Sequence, residues 1–340
     1  MEETKLLYTN IKVGKPKDSV VEIEGEIPAP TMELHRKEIL REISQEIEVQ
    51  GFRKGNVPEA IVLKQVNMNH ILEDAAEEAL NVAYPHILHD NNVEPLSSPR
   101  ITFVKLAEGS ALEFKISVAI EPEISLPNYK KIAKAIKEKK VVEKATDKDV
   151  DDIIKEILTM RIDEKGKVPE LTDELVKTFG PFENVADFKI KMRENITKEK
   201  EVESQRLSYE QIAQELVKET KLILPSLMIE DELHTAHRRL HQELEKRKMG
   251  EEEYFKIIKK TEEEYMKEKK EMIERQLKMK FILKAIARKE GIKADEKEIE
   301  KELQHAQAHY PNTDSEAFRN YIEEMLSNEK TLKFLEEAGW

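Results

Sequence analysis

The chain has 340 residues, no cysteine, and 57 Lys and Arg against 70 Asp and Glu, for a formal charge of −13. The missing thiols exclude disulfides, thiolate catalysis and cysteine-ligated zinc, and the acidic balance argues against general binding to nucleic acid or anionic lipid. The length suffices for two or more domains, and 37% charged with only 39% hydrophobic residues predicts an elongated, surface-rich helical architecture rather than one large core.

The N-terminus, MEETKLLYTN, has neither a basic segment nor an apolar run, so no signal peptide is expected. No stretch approaches the roughly 18 continuous apolar residues of a membrane span. The expected location is cytoplasmic, with no membrane partner. LLYTNIKV (6–13) reads as a strand. SVVEIEGEI (19–27) alternates Val21, Ile23 and Ile27 against Glu22, Glu24 and Glu26, the period of a strand with one buried face. In residues 31–49, Met32, Ile39, Leu40, Ile43 and Ile47 recur at helical spacing. A second helical region runs from Pro58, expected in its first turn, to about Asp90. ITFVKL (101–106) and ALEFKISVAI (111–120), joined by the turn EGSA (108–111), read as a hairpin. In the latter strand Leu112, Phe114, Ile116, Val118 and Ile120 share a face.

The prolines of EPEISLPN (121–128) mark a boundary. The expected organisation is an α+β domain over 1–127, an extended connector over 128–146 including KIAKAIKEKKVV (131–142), and an extended all-α domain with helical arms over 147–340. Thr146 or Asp147 is expected to cap a helix carrying Val150, Ile153, Ile154, Ile157 and Leu158. Residues 186–218 read as one long helix, with Phe188, Met192 and Ile196 at one end and Leu207, Ile212 and Leu216 at the other. Its middle, TKEKEVESQR (197–206), offers only Val202, so the helix should bridge solvent between packed ends. Further helices are expected at about 225–247, 251–260, 262–289, 294–308 and 315–338.

Between the first two helices lies GFRKGNVP (51–58), with two of the chain's ten glycines. Gly51 and Gly55 permit a tight turn with φ > 0, which would thrust Phe52, Arg53 and Lys54 outward as one protrusion. This octapeptide resembles the ribosome-docking signature of the bacterial trigger factor family. PEAIVLKQV after it, YPHILHDNNVEPLSSPRI and VPELTDELVKTFG (168–180) resemble further stretches of that family, in order along nearly the whole chain. The resemblance implies a chaperone that docks beside the tunnel exit on a large-subunit ribosomal protein, through Gly51, Phe52, Arg53, Lys54 and Gly55, and shields unfolded nascent polypeptides. It also admits a homodimer when free of the ribosome. Residues 1–127 hold 13 Lys and Arg against 22 Asp and Glu. The body of the docking domain should therefore be repelled by RNA phosphates while the Arg53–Lys54 tip is attracted, orienting docking without sequence-specific contact to nucleic acid.

The chain departs from the family pattern in one respect. The FKBP-type prolyl isomerase domain belongs at about 161–169, where only about ten residues stand, too few for a fold that usually needs at least about 50. The expectation is a non-enzyme. No GxxxxGK[ST] phosphate loop occurs, and no cofactor or metal is expected. His234, His237 and His241, at i, i+3 and i+7, read as a polar helix flank rather than a metal site, as do the pairs His305/His309 and His86/His89.

A holding chaperone needs adaptable apolar surface, which methionine supplies. Met249, Tyr254 and Phe255 sit at the helix–helix turn KMGEEEYF, and Met272 and Met279 share a helix face with Ile282 and Ile286. Those five residues, Met249, Tyr254, Phe255, Met272 and Met279, are the expected client contacts. The rival readings are a free cytosolic holdase without ribosome docking, a prolyl isomerase with a disguised site, and a periplasmic chaperone of similar helical architecture.

Overall fold

The computed structural model describes residues 7–49, 52, 57–139, 144–161, 168–309 and 315–337. Contacts divide the chain into two units, each built from two segments. The first is Met1–Glu123 with Leu222–Lys278, and the second is Ile124–Lys221 with Met279–Trp340.

The first unit holds strands β1 (Thr9–Val13), β2 (Val20–Ile27), β3 (Arg100–Lys105) and β4 (Leu112–Ala119). They form an antiparallel sheet in the order β1-β2-β4-β3. Alternation sets its faces. Val21, Ile23, Ile27, Leu112, Phe114, Ile116 and Val118 are buried, whereas Glu22 and Glu24 are exposed. The β3–β4 turn needs Gly109, at φ +72°, and Ser110 closes it by donating both its N–H and its hydroxyl to the Ala107 carbonyl. The first strand is shorter than the apolar run from Leu6 suggests. Tyr8 lies outside it and donates its hydroxyl to Asp90 at 2.5 Å.

Helices α1 (Ala29–Glu46), α2 (Glu59–Gln65) and α3 (Met68–Asp90) follow β2. Ala75, Ala79 and Ala83 recur every fourth residue and are buried with Leu80 and Ile87 in the core they share with the sheet, because a ridge without side chains beyond Cβ permits close approach. The single helical region expected from Pro58 to Asp90 is instead two helices. Asn67 breaks it, accepting the Asn69 N–H as the cap of α3, and Pro58 is the residue before α2 rather than a member of its first turn. Gly25 in β2 is required by packing, since a Cβ there would run into the Ile11 side chain and the Phe114 ring. Gly25→Ala should therefore cost about 1–3 kcal/mol of stability by overpacking. A denaturant midpoint unchanged within error would contradict that.

The second unit has helices as its regular elements among the described residues, beside an isolated bridge between Ser125 and Lys221. It contains α4 (Tyr129–Lys139), α5 (Asp147–Thr159), α6 (Asp173–Lys177) and α7 (Val185–Glu219). The first unit's second segment supplies α8 (Ser226–Lys246) and α9 (Glu251–Ile258), and α10 (Glu262–Glu290) runs from that segment into the second unit. The second unit closes with α11 (Glu296–His309) and α12 (Ser315–Glu337).

The expectation of an extended segment at 131–142 fails over its described part, which is α4. Tyr129, Ile132, Ala133 and Ile136 lie at i, i+3, i+4 and i+7 and pack with Leu216, Ile282 and Ile286. Asn128 accepts the Lys131 N–H at the helix start. Lys131, Lys134, Lys137 and Lys139 are exposed on its outer face, and Lys130 pairs with Glu290 at 3.0 Å.

The capping box of α5 is present: Thr146 Oγ1 accepts the Asp149 N–H, and the Asp149 carboxylate accepts the Thr146 N–H at 2.7 Å. A hydrogen bond from Lys200, followed by the two from Thr146, holds that carboxyl well below the usual carboxylate range. The long helix α7 packs at both ends, Phe188 and Ile196 in one cluster and Ile212 and Leu216 in another, while Val202 between them is 64% exposed. At its second end the expected Leu207 is exposed, and the neighbouring Ser208 is buried with its hydroxyl bonded to the Ser204 carbonyl.

Three tyrosines share a design. Tyr8, Tyr129 and Tyr209 donate to Asp90, Glu290 and Glu336 at 2.5, 2.6 and 2.6 Å. Burial first, and then each carboxylate bond, pushes all three phenols up to about 12. A folded-state value above the unfolded one near 10 means that the protonated phenol favours the fold. The contribution is full below pH 10 and is lost as pH rises from 10 through 12. Ultraviolet titration of the eight tyrosines should show at least three lagging near pH 12, and a single transition near 10 would contradict these bonds.

Candidate functional site

In the first unit, the turns at both ends of α9 shape a groove. Lys248 adopts φ +54° after α8, and the Met249 N–H returns to the Leu244 carbonyl at 3.0 Å. The chain thus reverses, and Gly250 starts α9. Lys259, also at φ +54°, ends α9. Thr261 and Glu264 then cap α10 reciprocally, through Thr261 Oγ1 with the Glu264 N–H and Glu264 Oε2 with the Thr261 N–H. Tyr254, Phe255 and Tyr265 meet edge to face at centroid separations of 5.5 to 6.2 Å, a preferred aromatic geometry.

Between α8, α9 and α10 lies an open groove of about 520 Å³. Its floor is the buried pair Leu244 and Ile273, and Leu240, Met249, Tyr254 and Tyr265 stand partly exposed around it. Ile257 at 61% exposed and Met272 at 43% offer their apolar surface to solvent. The rim carries both signs of charge, with Glu232 and Glu243 beside Arg239, Arg247 and Lys269. Lys269 lies 5.3 Å over the Tyr265 ring. Such a surface suits apolar segments of varied sequence, because methionine adapts its shape and the mixed rim selects no particular charge.

Of the five expected client contacts, the groove brings together Met249, Tyr254 and Met272. Phe255 does not line it, but its ring contacts those of Tyr254 and Tyr265, which do. Met279 lies in the other unit, packed against the cluster of Ile282 and Ile286. Sequence reasoning missed Leu240, Ile257, Tyr265 and Ile273. Tyr265, Met272, Ile273 and Gln276 do share the spacing of one helix face, but the spacing does not say that this face stays open.

The second candidate is the segment between α1 and α2. Gly51, Arg53, Lys54 and Gly55 lie outside the described residues. Phe52 is 43% exposed, and its N–H donates to the Val49 carbonyl at 3.0 Å. On either side the chain is anchored: Val57 is buried with Leu40, Val62 and Ile71 while Ile47 and Val49 pack against them, and Ser44 donates to the Val57 carbonyl.

The α8 histidines form a polar flank. His237 faces Glu262 at 3.7 Å, and His241 lies between Glu245 and Glu251 at 3.4 and 3.3 Å. Among the described residues, no helix is long and apolar enough to cross a membrane.

Comparison with known proteins gives consistent results. Two family models match, "Bacterial trigger factor protein (TF)" over residues 9–157 and "Bacterial trigger factor protein (TF) C-terminus" over residues 184–337. The chain is similar to the trigger factor of Clostridium beijerinckii, at 23% identity over 96% of this chain and 99% of that one. It is similar also to the trigger factor of Carboxydothermus hydrogenoformans, at 22% identity over 94% and 96%. The first alignment spans 421 positions, more than this chain's 340 residues, so that relative carries residues without a counterpart here. A solved structure described as "Promiscuous Substrate Recognition in Folding and Assembly Activities of the Trigger Factor Chaperone" shares the fold, with a TM-score of 0.58 at 18% identity over 97% of this chain and 100% of that one.

Proposed function

The chain belongs to the bacterial trigger factor family, and from that premise we propose that it is a cytoplasmic, ATP-independent chaperone that docks on ribosomes through residues 51–55 and holds unfolded nascent chains in the groove between α8, α9 and α10. The domain at 1–127 is the docking part in this reading, and the helical region beyond 147 supplies the holding surface.

The observation that carries the holding function is the open apolar groove, with Ile257 and Met272 presented to solvent. Fully burying either side chain against a client contributes about 1.5–3 kcal/mol. Replacing Ile257 and Met272 together with Glu should raise the concentration needed to suppress aggregation of a refolding client by about tenfold or more. Added ATP should change nothing in either protein. Undiminished suppression by the double variant would move the holding surface elsewhere.

The docking function rests on the motif and on the exposure of Phe52. A free holdase is the alternative, and ribosome co-sedimentation separates the two. We further propose that the protein is not a prolyl isomerase. Only residues 158–183 stand between the two matched family segments, below the roughly 50 residues of the smallest usual domains. Uncatalysed X-Pro isomerisation takes tens to hundreds of seconds, so even weak catalysis would be visible. The protein should leave that rate unchanged, and acceleration that survives repurification would overturn the assignment.

A further inference from the structure

Helices α1 and α3 bring together three side chains that neither docking nor holding uses. His35 and Glu38 lie one turn apart on α1, and Glu78 comes from α3. His35 Nδ1 is 3.5 Å from Glu38 Oε2 and 3.5 Å from Glu78 Oε2. One ligand atom from each of the three lies within 4.8 Å of the others. The His35 side chain is only 13% exposed, and both its Nδ1 and Glu78 Oε2 are buried without a hydrogen-bond partner. We propose that His35, Glu38 and Glu78 bind a divalent transition-metal ion of the zinc class.

The chemistry favours a cation over an internal ion pair. Nδ1 of a protonated imidazole carries one hydrogen and cannot bond two carboxylates well, so a buried acceptor would remain unpaired at a cost. A single ion satisfies all three groups at once. Tetrahedral bonds of about 2.0–2.2 Å set ligand atoms about 3.3–3.6 Å apart, the separation found here on both sides of His35. Two carboxylates and a neutral imidazole balance a charge of two. The imidazole selects zinc, nickel, copper or iron over magnesium and calcium, which prefer oxygen alone. Glu38 and Glu78 are 50% and 41% exposed, leaving the ion a route in and a water the fourth position. The bound ion would staple α1, which precedes the docking segment, to α3, the second helix after it.

The test uses the full chain, stripped with EDTA and titrated with Zn²⁺ alone. One tight equivalent should bind and raise the melting temperature by a few degrees, with EDTA reversing the rise. His35→Gln, Glu38→Gln and Glu78→Gln should each weaken binding at least tenfold and remove the thermal shift. The two carboxylate variants change half-exposed groups, so they keep the test open should His35→Gln not fold. A triple variant, His234→Gln with His237→Gln and His241→Gln, should keep the equivalent. Co²⁺ in place of Zn²⁺ should give the intense visible bands of a tetrahedral site. The proposal is overturned if the wild type binds no Zn²⁺ at micromolar concentration, if the equivalent survives the three single substitutions, or if it vanishes in the α8 triple variant.

Discussion

Replacing Phe52, Arg53 and Lys54 together with Ala should take the protein off ribosomes and leave its melting temperature in place. Phe52 is 43% exposed, and the apolar cluster beneath this segment is built from Val57, Val62, Leu40 and Ile71. Its removal should therefore move folding stability by no more than the roughly 0.5 kcal/mol typical of surface changes. Docking loses more. Burying Phe52 in a partner's pocket contributes about 1.5–3 kcal/mol, and an interfacial hydrogen bond from the Arg53 guanidinium about as much again. A combined loss of about 3–6 kcal/mol weakens binding by more than about a hundredfold, which takes a micromolar complex out of reach of co-sedimentation. Unchanged co-sedimentation would mean that another surface is the anchor. A large fall in melting temperature would mean that Phe52 belongs to the core of its own unit.

Phe188→Ala should destabilise the second unit by about 3–5 kcal/mol, whereas Val202→Ala on the same helix should change stability by less than about 0.5 kcal/mol. Phe188 is 2% exposed. Its ring meets Phe182 edge to face at 4.9 Å and Phe179 at 5.6 Å, beside Val150, Ile154 and Val176. Truncation there removes both the transferred area and the aromatic contacts. Val202 is 64% exposed at the middle of α7, where Arg206 pairs with Glu203 and Glu210 along the helix surface. Hydrogen exchange resolved along α7 distinguishes its parts: Phe188→Ala should speed exchange in the turns around it, and Val202→Ala should leave the profile unchanged. Equal effects would contradict a helix secured at its ends and solvated between them.

Much of this architecture is written in local pattern. The alternation in β2 and β4 specifies their buried faces, because a one-residue slip would turn every apolar side chain to water. Thr146 with Asp149 three residues on announces the start of α5. The solvated middle of α7 is visible as a run of ten residues with a single apolar side chain. Where local signals compete, reading fails. The four-residue apolar stripe of α4 starts at Tyr129, directly after the prolines of the boundary, and is short enough to pass for a connector, and Asn67 splits a continuous helical pattern because its side chain caps α3. Non-local facts are absent from pattern altogether. Nothing in residues 222–278 announces that they cluster with the first 123 residues, although the Arg100–Glu230 ion pair and the Ser19 bond to the Ile223 carbonyl tie those segments together. The groove shows the same limit. Met272 and Met279 are seven residues apart and look equivalent, yet one lines the groove and the other packs into a core.

The most direct measurement places a photo-crosslinker at position 272 or 257 and mixes the full chain with ribosomes bearing a stalled, unfolded nascent polypeptide. Docking through the loop and holding in the groove together predict adducts to the nascent chain that form equally with and without ATP and disappear in the Phe52, Arg53 and Lys54 triple Ala variant. Absence of adducts with the wild-type loop, or equal yield from the triple variant, would contradict the account.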